Sequence, residues 1–287
     1  MRISAFTFIK NGVILGYPFV ESINSVLPLV DEFIINVGNS DDETLKEIEN
    51  INSPKIKIIQ SSWNDGMKDR GYVYGQQKMI AQFNCTGDWA FYLEGDEILH
   101  ENELESIYLN LKKYRDVEEV EAFYFNFYHF YGSPELLGMT GYRKAPRIIR
   151  NSIRSYAPDG LFWVVMDKNK KGRYPKAVDA GANIYHYGHV RKISNMQEKI
   201  NQVSKYWNSE PPVFKGYGDI DHYALKKFTG THPKIISNWL KKYAEESFEP
   251  NPDYKPNKRD IRNRFRLKIE EFFDIEISKK HYKKIKI

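Results

Sequence analysis

The sequence predicts an α/β protein whose first half forms a sheet of parallel strands. Apolar runs alternate with segments of helical periodicity, so that strand, helix, strand, helix and strand follow one another within about 60 residues. The composition, 41% hydrophobic and 15% aromatic, is that of a folded protein with a ring-rich core. With 287 residues, the chain is long enough for one large domain, with or without an added subdomain.

Four strands and four helices are predicted in the first part of the chain. Turns such as Lys10-Asn11-Gly12 separate the strands. Apolar residues at spacings of three and four indicate the helices, and Ser40 or Asp42 is expected to cap the second one. The predicted strands are 3–9, 32–37, 56–60 and 88–93, and the predicted helices are 14–27, 43–51, 71–84 and 101–114.

The second part predicts more strands and then helices. Aromatic, alternating or apolar runs predict a mixed or antiparallel extension of the sheet. These predicted strands are 121–133, 146–150, 161–166 and 182–188. The pattern is helical from about residue 193, at 194–207 and 232–246. Residues 248–258, rich in Pro, Asn and Asp, are predicted to be a linker before a basic, amphipathic end.

Basic charge is concentrated in that C-terminal tail. The formal net charge is +5, and residues 251–287 alone contain 12 Lys/Arg and 6 Asp/Glu. Such a tail suits an anionic membrane, an acidic partner or self-association, while a solvated helix surface is the simpler alternative. We expect no nucleic acid as a partner.

The cysteine content and the apolar runs bear on the compartment. The one cysteine, Cys85, excludes an intrachain disulfide and a thiolate-rich metal site, and it fits a reducing compartment. No stretch reaches the roughly 18 apolar residues that would span a membrane. The sequence therefore predicts a cytoplasmic protein, with membrane contact only at its periphery.

The sharpest chemical feature is Glu94-Gly95-Asp96-Glu97, directly after a predicted strand. Ligands in open α/β sheets bind beyond the carboxyl ends of the strands. Carboxylates crowded at one place repel one another unless a cation is present, and Mg²⁺ or Mn²⁺ takes carboxylate and diphosphate oxygens. Gly95 lets the backbone approach a ligand closely. The motif indicates a divalent-metal site, and an acidic helix N-terminus is the alternative.

Two other polar segments hold candidate ligand contacts. VGNSDDET (37–44) follows the second strand, where short polar side chains can bond a base or ribose, although a turn with a helix cap explains it better on its own. In YHYGHVR (185–191), a neutral His186 can bind a metal and Arg191 can clamp a phosphate. A structural histidine is the alternative there.

These three clusters, in this order, resemble the family-2 glycosyltransferases of GT-A fold. FTFIKN (6–11) resembles the family's first strand, VGNSDDET the turn after its second strand, and LEGDE (93–97) its Asp-x-Asp-type motif. Residues 70–85 followed by GDWAFYLEGDEILHE look like a branch with a glutamine-containing helix before the motif. YHYGHVR and KFTGTHP (227–233) also look like that branch, so the resemblance covers residues 3–235 in ordered pieces.

The resemblance implies a fold and a domain organisation. The fold would be a GT-A (Rossmann-like) mixed sheet flanked by helices, with a helical C-terminal extension. Residues 1–192 would be the catalytic domain, with a nucleotide-binding half at 1–100 and an acceptor-side half at 101–192. Residues 193–287 would be the helical, basic extension.

The resemblance also implies an activity. A sugar would pass with inversion from a nucleotide sugar, expected to be a UDP-sugar, to an acceptor hydroxyl on a glycan or lipid-linked molecule in glycan or polysaccharide biosynthesis. Mn²⁺ or Mg²⁺ would be the cofactor, with Asp96 and His186 as ligands. Residues expected to contact the donor are Phe8, Lys10, Asn11, Asn39, Asp41, Arg70, Gln77, Glu94, Gly95 and Arg191.

Position 94 departs from the family pattern, and no single residue stands out as the general base. Glu94 is a methylene longer than the family's aspartate, so it would reach the metal through water or bond the sugar. An inverting transfer needs a general base for the acceptor hydroxyl. Asp159 lies where the family carries an acid, although Pro158-Asp159-Gly160 also reads as a turn, and both roles are compatible.

Two other functions stay open from the sequence. A sugar nucleotidyltransferase usually has a glycine-rich basic loop after the first strand, and KNGVILG (10–16) is a poor match. A non-catalytic glycan-binding or nucleic-acid-binding module would use the basic tail and exposed rings. Such a module has no need of crowded acids after the fourth strand.

Overall fold

The computed structural model describes residues 1–244 and 251–287. The strands are β1 Ile3–Ile9, β2 Glu32–Gly38, β3 Ile56–Ser61, β4 Trp89–Tyr92, β5 Glu97–Ile98, β6 Ala122–Tyr131, β7 Ser133–Gly138, β8 Lys144–Arg150, β9 Ser155–Tyr156, β10 Val164–Met166, β11 Gly172–Arg173, β12 Lys176–His189, β13 Leu225–Lys227 and β14 Lys283–Lys284. The α-helices are α1 Phe19–Val26, α2 Thr44–Glu49, α3 Tyr72–Gln82, α4 Leu104–Lys113, α5 Ile193–Tyr206, α6 Ser237–Tyr243 and α7 Lys258–Phe273.

The first half forms the predicted parallel sheet. Strands β4, β1, β2 and β3 lie side by side in that order, each parallel to its neighbour. The residues of β1, β2 and β4 are buried on both faces, which is typical of a parallel sheet covered by helices, whereas the edge strand β3 is only partly buried. Because all four strands run the same way, their carboxyl ends meet at one edge, where the loops after β1 and β4 come together.

The second half extends the sheet with mixed pairing, as predicted. Strand β8 pairs antiparallel with both β4 and β6, and β7 pairs antiparallel with β6. Strand β12 runs parallel to β6 and also pairs antiparallel with the short β5. That pairing sets His186 opposite Glu97 and so brings the second half back to the acidic motif.

Helices cover both faces of the sheet. On one face Ile23 of α1, Ile48 of α2 and Leu111 of α4 join the largest core cluster. On the other face Ala81 of α3 packs with Phe6, Tyr92 and Trp163. Alternate residues of one strand serve the two clusters, since Ala5 faces the first and Phe6 the second. The result is the predicted mixed sheet between helical layers.

The first predicted helix was too long at its start. Residues 12–16 form a turn that ends on Gly16 with a φ of +62°, and α1 begins only after Pro18. A helix cannot pass through a residue in the left-handed region, and proline provides no backbone N–H for the helical ladder. The predicted cap of α2 was wrong, since Glu43 precedes the helix without a side-chain cap bond, although the Asp42 carboxylate accepts from the Thr44 N–H at 3.0 Å.

The predicted strand 161–166 was also too long. Asp159 accepts the backbone N–H groups of Leu161 and Phe162, so neither N–H is free for a strand ladder. Only β10 forms, and it belongs to a separate small sheet with β9 and β11. Six strands of the described residues were not predicted: β5, β7, β9, β11, β13 and β14.

The C-terminal region contains α5, α6 and α7, as the helical pattern indicated. The end of the predicted helix 232–246 and the start of the predicted linker 248–258 lie outside the described residues. Strand β14 pairs with β12, which ties the C-terminal segment to the sheet. The predicted division at residues 192 and 193 stays a prediction. In the described part of the chain, none of the helices has the length and apolar character needed to cross a bilayer.

Candidate active site

An aromatic cleft of about 340 Å³ opens at the carboxyl ends of β1 and β4. Trp63, which follows β3, lies 5.5 Å from Tyr74 of α3 and 5.6 Å from Tyr206 of α5, measured between ring centroids. The lining residues are Phe8, Ile9, Lys10, Leu15, Tyr17, Trp63, Tyr74, Tyr92, Glu94, Gly95, Asp96, Asp159, Gly160, Leu161, Lys199, Gln202, Val203, Tyr206 and Trp207. The cleft thus has ring-rich walls and a small group of charged residues.

The acidic motif and β12 form one cluster at this cleft. Glu94, Asp96 and His186 each offer one ligand atom, and these three atoms lie within 4.8 Å of one another. Asp96 is buried, and its Oδ1 lies 3.5 Å from Nε2 of His186. The chemistry of the set, two carboxylates and an imidazole, suits a divalent cation such as Mn²⁺.

Asp96 is also held by two cations. Its Oδ2 accepts from Nη2 of Arg191 and from Nζ of Lys199, each at 3.1 Å. Burial alone would raise the pKa of Asp96, but the neighbouring cations Lys199 and Arg191 hold that pKa well below its usual range. The carboxylate is therefore ionised at neutral pH.

A glycine allows this close packing around Asp96. A Cβ atom on Gly188 would lie 2.5 Å from the His186 ring and 3.2 Å from Oδ2 of Asp96. The Gly188 carbonyl also accepts from Nζ of Lys199 at 3.1 Å. Any larger residue at position 188 would push the imidazole away from the carboxylate.

The tautomer of His186 follows from its neighbour His129. Nε2 of His129 lies 2.6 Å from the carbonyl oxygen of Tyr142 and must donate to it, because a carbonyl only accepts. Burial holds the pKa of His129 well below its usual range, so the ring is neutral and its Nδ1 accepts. Nδ1 of His186, 2.8 Å away, is then the donor. In a neutral His186 ring this arrangement places the lone pair on Nε2, on the side of Asp96, as a metal ligand requires.

Arg147 organises the other two acids. This fully buried side chain forms a bidentate pair with Glu97, with Nε 2.8 Å from Oε2 and Nη2 2.6 Å from Oε1. Nη2 also reaches Oε1 of Glu94 at 3.1 Å. Burial and the charge of Glu97 raise the pKa of Glu94 to about 7. Glu97 thus forms the bidentate pair with Arg147, whereas Glu94 has one hydrogen bond to Arg147, and a further cation would favour its ionised form.

Lys78 fixes the segment that carries Asp159. Its ammonium is buried 4.0 Å from the centroid of the Tyr92 ring and 3.8 Å from that of Trp163, and it donates to the Gly160 carbonyl at 3.1 Å. Burial, together with Arg147, holds the pKa of Lys78 well below its usual range. Asp159 forms the turn read from the sequence, and it also reaches the cleft lining.

The structure brings some of the residues expected at the site together and sets others apart. Those on the cleft lining are Phe8, Lys10, Glu94, Gly95, Asp96 and Asp159. His186 and Arg191 lie behind the lining, against Asp96. Arg191 is fully buried and also donates to the Leu15 carbonyl at 2.7 Å.

The remaining candidates contact other parts of the protein. Asn11 and Asp41 bond each other, with the Asn11 amide donating at 3.1 Å and the Asp41 N–H at 2.8 Å. Asn39 is exposed and bonds Ser62. The buried amide oxygen of Gln77 accepts from Asn36 at 2.8 Å and from Ser61 at 2.6 Å. Arg70 is exposed just before α3, with a φ of +45°.

Several residues of the site were not singled out from the sequence. Arg147 had a signal, since it is a charge inside the apolar run PRIIR of a predicted strand. His129 likewise stands in an aromatic strand. No sequence signal marked Lys199 and Tyr206 of α5 or Trp207 just after it, because their spacing is that of an ordinary amphipathic helix.

Comparison with known proteins gives a family and a set of more distant likenesses. The model of the family "Glycosyl transferase family 2" matches residues 18–162. An uncharacterised glycosyltransferase of Rickettsia felis is 33% identical over 110 residues, which cover 37% of this chain and 34% of that protein.

Two solved structures show a partial likeness to this chain. S. aureus TarS is 16% identical, with a TM-score of 0.41, over 71% of this chain and 39% of TarS. The glucosyl-3-phosphoglycerate synthase of Mycobacterium tuberculosis, solved with Mn²⁺, UDP and phosphoglyceric acid, is 17% identical, with a TM-score of 0.31, over 45% of this chain and 43% of that one. The chain spans less than half the length of each of these three relatives.

The family match includes the acidic motif, α3 and the segment with Asp159, which are the parts that build one side of the cleft. It spans half of the chain. We conclude that this protein belongs to glycosyl transferase family 2.

Proposed function

We propose that this protein transfers a sugar from a nucleotide-sugar donor to an acceptor hydroxyl. The observation that carries the proposal is the cluster of Glu94, Asp96 and His186 at one end of a cleft walled by aromatic rings. Rings suit a nucleotide base, and the cluster suits a divalent cation beside a diphosphate. One cleft thus offers both ends of a nucleotide sugar a matching surface.

The two ends of the cleft suggest how the donor lies. Phe8, Trp63 and Tyr74 would receive the base, for which we propose uracil, and Lys199 would approach the diphosphate. Lys10, whose ammonium lies 5.8 Å from the centroid of the Trp63 ring, adds positive charge near the base end. Asn11, Asn39 and Asp41 form the polar turn beside this end, where contact with the ribose would be made.

Asp96 and His186 would hold Mn²⁺ or Mg²⁺, with Glu94 as a direct or water-mediated third ligand. Held by these residues, a divalent ion would supply positive charge for the leaving diphosphate. Neighbouring side chains hold these proposed ligands in place. Arg191 and Lys199 keep Asp96 ionised and in place, and His129 presents the Nε2 lone pair of His186.

For the transfer itself we propose a single displacement with inversion. The acceptor oxygen attacks the anomeric carbon, the bond from that carbon to the diphosphate oxygen breaks, and Asp159 takes the hydroxyl proton. Asp159 can do this while keeping its turn, because its Oδ1 accepts both backbone N–H groups of the turn. The acceptor would be a glycan or a lipid-linked molecule.

The turn after β1 favours this reaction over nucleotidyl transfer. Its backbone N–H groups are already occupied, since Gly12 donates to Oγ1 of Thr44 at 2.7 Å and Asn11 donates to Oγ of Ser40 at 3.0 Å. A loop that cradles a triphosphate needs such N–H groups to be available to the ligand.

A thermal-shift screen tests the proposal. Nucleoside diphosphates of the common bases are added with and without Mn²⁺, and we expect UDP with Mn²⁺ to raise the melting temperature by several degrees. The Asp96→Asn variant should lose most of that rise. The Asp116→Asn variant, which changes an exposed acid just after α4, should keep it. If none of the nucleotides shifts the melting temperature, the proposed donor class is wrong.

A further inference from the structure

The outer side of α7 exposes a stripe of large apolar side chains. Ile261, Phe265 and Phe272 are 59%, 68% and 82% exposed. Their spacing of four and seven residues places them on one side of the helix. Phe273 and Ile275 continue the exposed apolar surface at the end of the helix. Large apolar side chains concentrated on one exposed side of a helix are typical of a binding surface.

The inner side of α7 is fixed to the body of the protein. Arg264 forms two hydrogen bonds to Asp221, at 2.7 and 2.8 Å, and Glu270 pairs with Arg143 at 2.7 Å. At its start the helix has a capping box between Asn257 and Asp260. The helix is thus held at both ends, and the direction in which its apolar stripe faces is set by the fold.

Basic residues flank the stripe. Lys258, Arg262 and Lys268 are exposed, and none of them has an ion pair within residues 1–244 and 251–287. Glu270 is turned inward and Glu271 lies about 100° round the helix from Phe272, so the one exposed acid beside this surface is Asp274, at the end of the helix among the described residues. The outer side of α7 is therefore both apolar and positively charged.

We propose that this outer side of α7 binds an anionic membrane surface. The helix would lie parallel to the bilayer, with Phe265 and Phe272 at the boundary of headgroups and acyl chains and with Arg262 and Lys268 among lipid phosphates. A second copy of the chain is a poorer occupant, because a symmetric contact would bring the basic flanks of two stripes together. The inference does not rest on the proposed transferase activity.

Vesicle co-sedimentation of the full chain tests this. We expect the protein to bind phosphatidylcholine vesicles that contain phosphatidylglycerol on the order of tenfold more tightly than pure phosphatidylcholine vesicles, and to release as NaCl is raised well above about 0.1 M. Phe265→Ser with Phe272→Ser should weaken binding at least about tenfold, and so should Arg262→Glu with Lys268→Glu.

Matched controls separate this surface from general stickiness. Phe83→Ser removes an equally exposed ring, 74% exposed, at the end of α3. Lys112→Glu with Lys113→Glu reverses two exposed charges on α4. Both controls should bind vesicles as the wild type does. Melting temperatures and the UDP-induced shift show whether each variant is folded and whether the donor site is intact.

Two results would overturn the proposal. One is equal binding to anionic vesicles by the wild type and the two α7 variants. The other is no vesicle binding at all together with a concentration-dependent dimer that Phe265→Ser with Phe272→Ser abolishes, which would make the stripe a contact between copies. Loss of the nucleotide shift with vesicle binding intact would count against the proposed function alone.

Discussion

At the scale of single residues, the site depends on how one histidine orients another. His129 donates to the Tyr142 carbonyl and accepts from His186, so that a neutral His186 ring has its Nε2 lone pair on the side of Asp96. In that state Nε2 and Oδ1 of Asp96 are two acceptors 3.5 Å apart. Two acceptors at this distance favour a cation beside them, which is the physical basis for the proposed metal site.

Replacing His129 should therefore weaken metal binding, although His129 is not itself one of the proposed metal-binding residues. In His129→Phe the ring shape is kept but the acceptor for His186 is lost, and we expect Mn²⁺ affinity to fall about 10- to 100-fold. Titration of free Mn²⁺ by electron paramagnetic resonance measures this directly. His222→Phe, at an exposed position, is the control. Unchanged Mn²⁺ affinity in His129→Phe would show that the tautomer is set in some other way.

Sequence reasoning located the acids of this site better than their partners. Asp96 and His186 are 90 residues apart, and their juxtaposition followed from family order and from the expectation that the second half folds back. The partners that hold Asp96 were harder to foresee. Arg191 was expected to contact the donor and instead is buried against Asp96, and Lys199 was not singled out. Side-chain pairing across distant segments leaves no local pattern.

At the scale of elements, α5 is the part that completes the cleft. It was predicted as the first helix of a C-terminal extension, yet Lys199, Tyr206 and Trp207 line the cleft. It is held against the start of α3, where the Gly71 N–H donates to the Tyr206 carbonyl at 2.9 Å. Periodicity identified the helix, but it could not show the close approach at Gly71 that is part of its docking.

Gly71→Ala should move α5 and weaken donor binding. A Cβ atom at Gly71 would lie 2.1 Å from the Trp207 ring, and the φ of +71° is unfavourable for alanine. We expect the melting temperature to fall and UDP affinity, measured by calorimetry, to drop about fivefold or more. Gly141→Ala is the control, because nothing lies within 4 Å of its new Cβ. If Gly71→Ala lowers the melting temperature but leaves UDP affinity unchanged, α5 is not part of the donor site.

The strands, too, could be predicted only where a local sequence pattern defines them. The parallel strands β1 to β4 were predicted to within about two residues at each end, because each is a continuous apolar run bounded by turns. Strands β5 and β14 have two residues each and exist only through their pairing with β12. Elements made by pairing rather than by local pattern are not visible in a single sequence.

At the scale of the whole molecule, one buried acid ties the amino-terminal end of the sheet together. Glu32 of β2 accepts from Ser4 of β1 at 2.6 Å, from Lys57 of β3 at 2.7 Å and from the Thr86 N–H at 2.7 Å. Burial would raise the pKa of Glu32, but these hydrogen bonds outweigh it and hold that pKa well below its usual range. The ionised form is thus strongly favoured in the folded state.

This pKa predicts the acid sensitivity of the fold. Because the folded-state pKa lies below the unfolded one of about 4.3, the stabilisation is present above pH 4.3 and is lost as the pH falls further. Glu32→Gln should lower the free energy of unfolding by about 3 kcal/mol at pH 7 and should flatten its decline in acid. Urea unfolding at several pH values measures both. Glu105→Gln, at an exposed position, should behave as the wild type, and an equally steep acid decline in Glu32→Gln would contradict this account.

We propose above all that a nucleoside diphosphate and a divalent ion bind together in this cleft, and that Asp96 is required for both. Calorimetric titration of UDP into the wild type, with and without Mn²⁺, tests it most directly, alongside Asp96→Asn and Asp116→Asn. We predict that Mn²⁺ tightens UDP binding by about tenfold or more in the wild type and in Asp116→Asn, and has no effect in Asp96→Asn. UDP binding that is equal with and without Mn²⁺ in the wild type, or tightening that persists in Asp96→Asn, would contradict it.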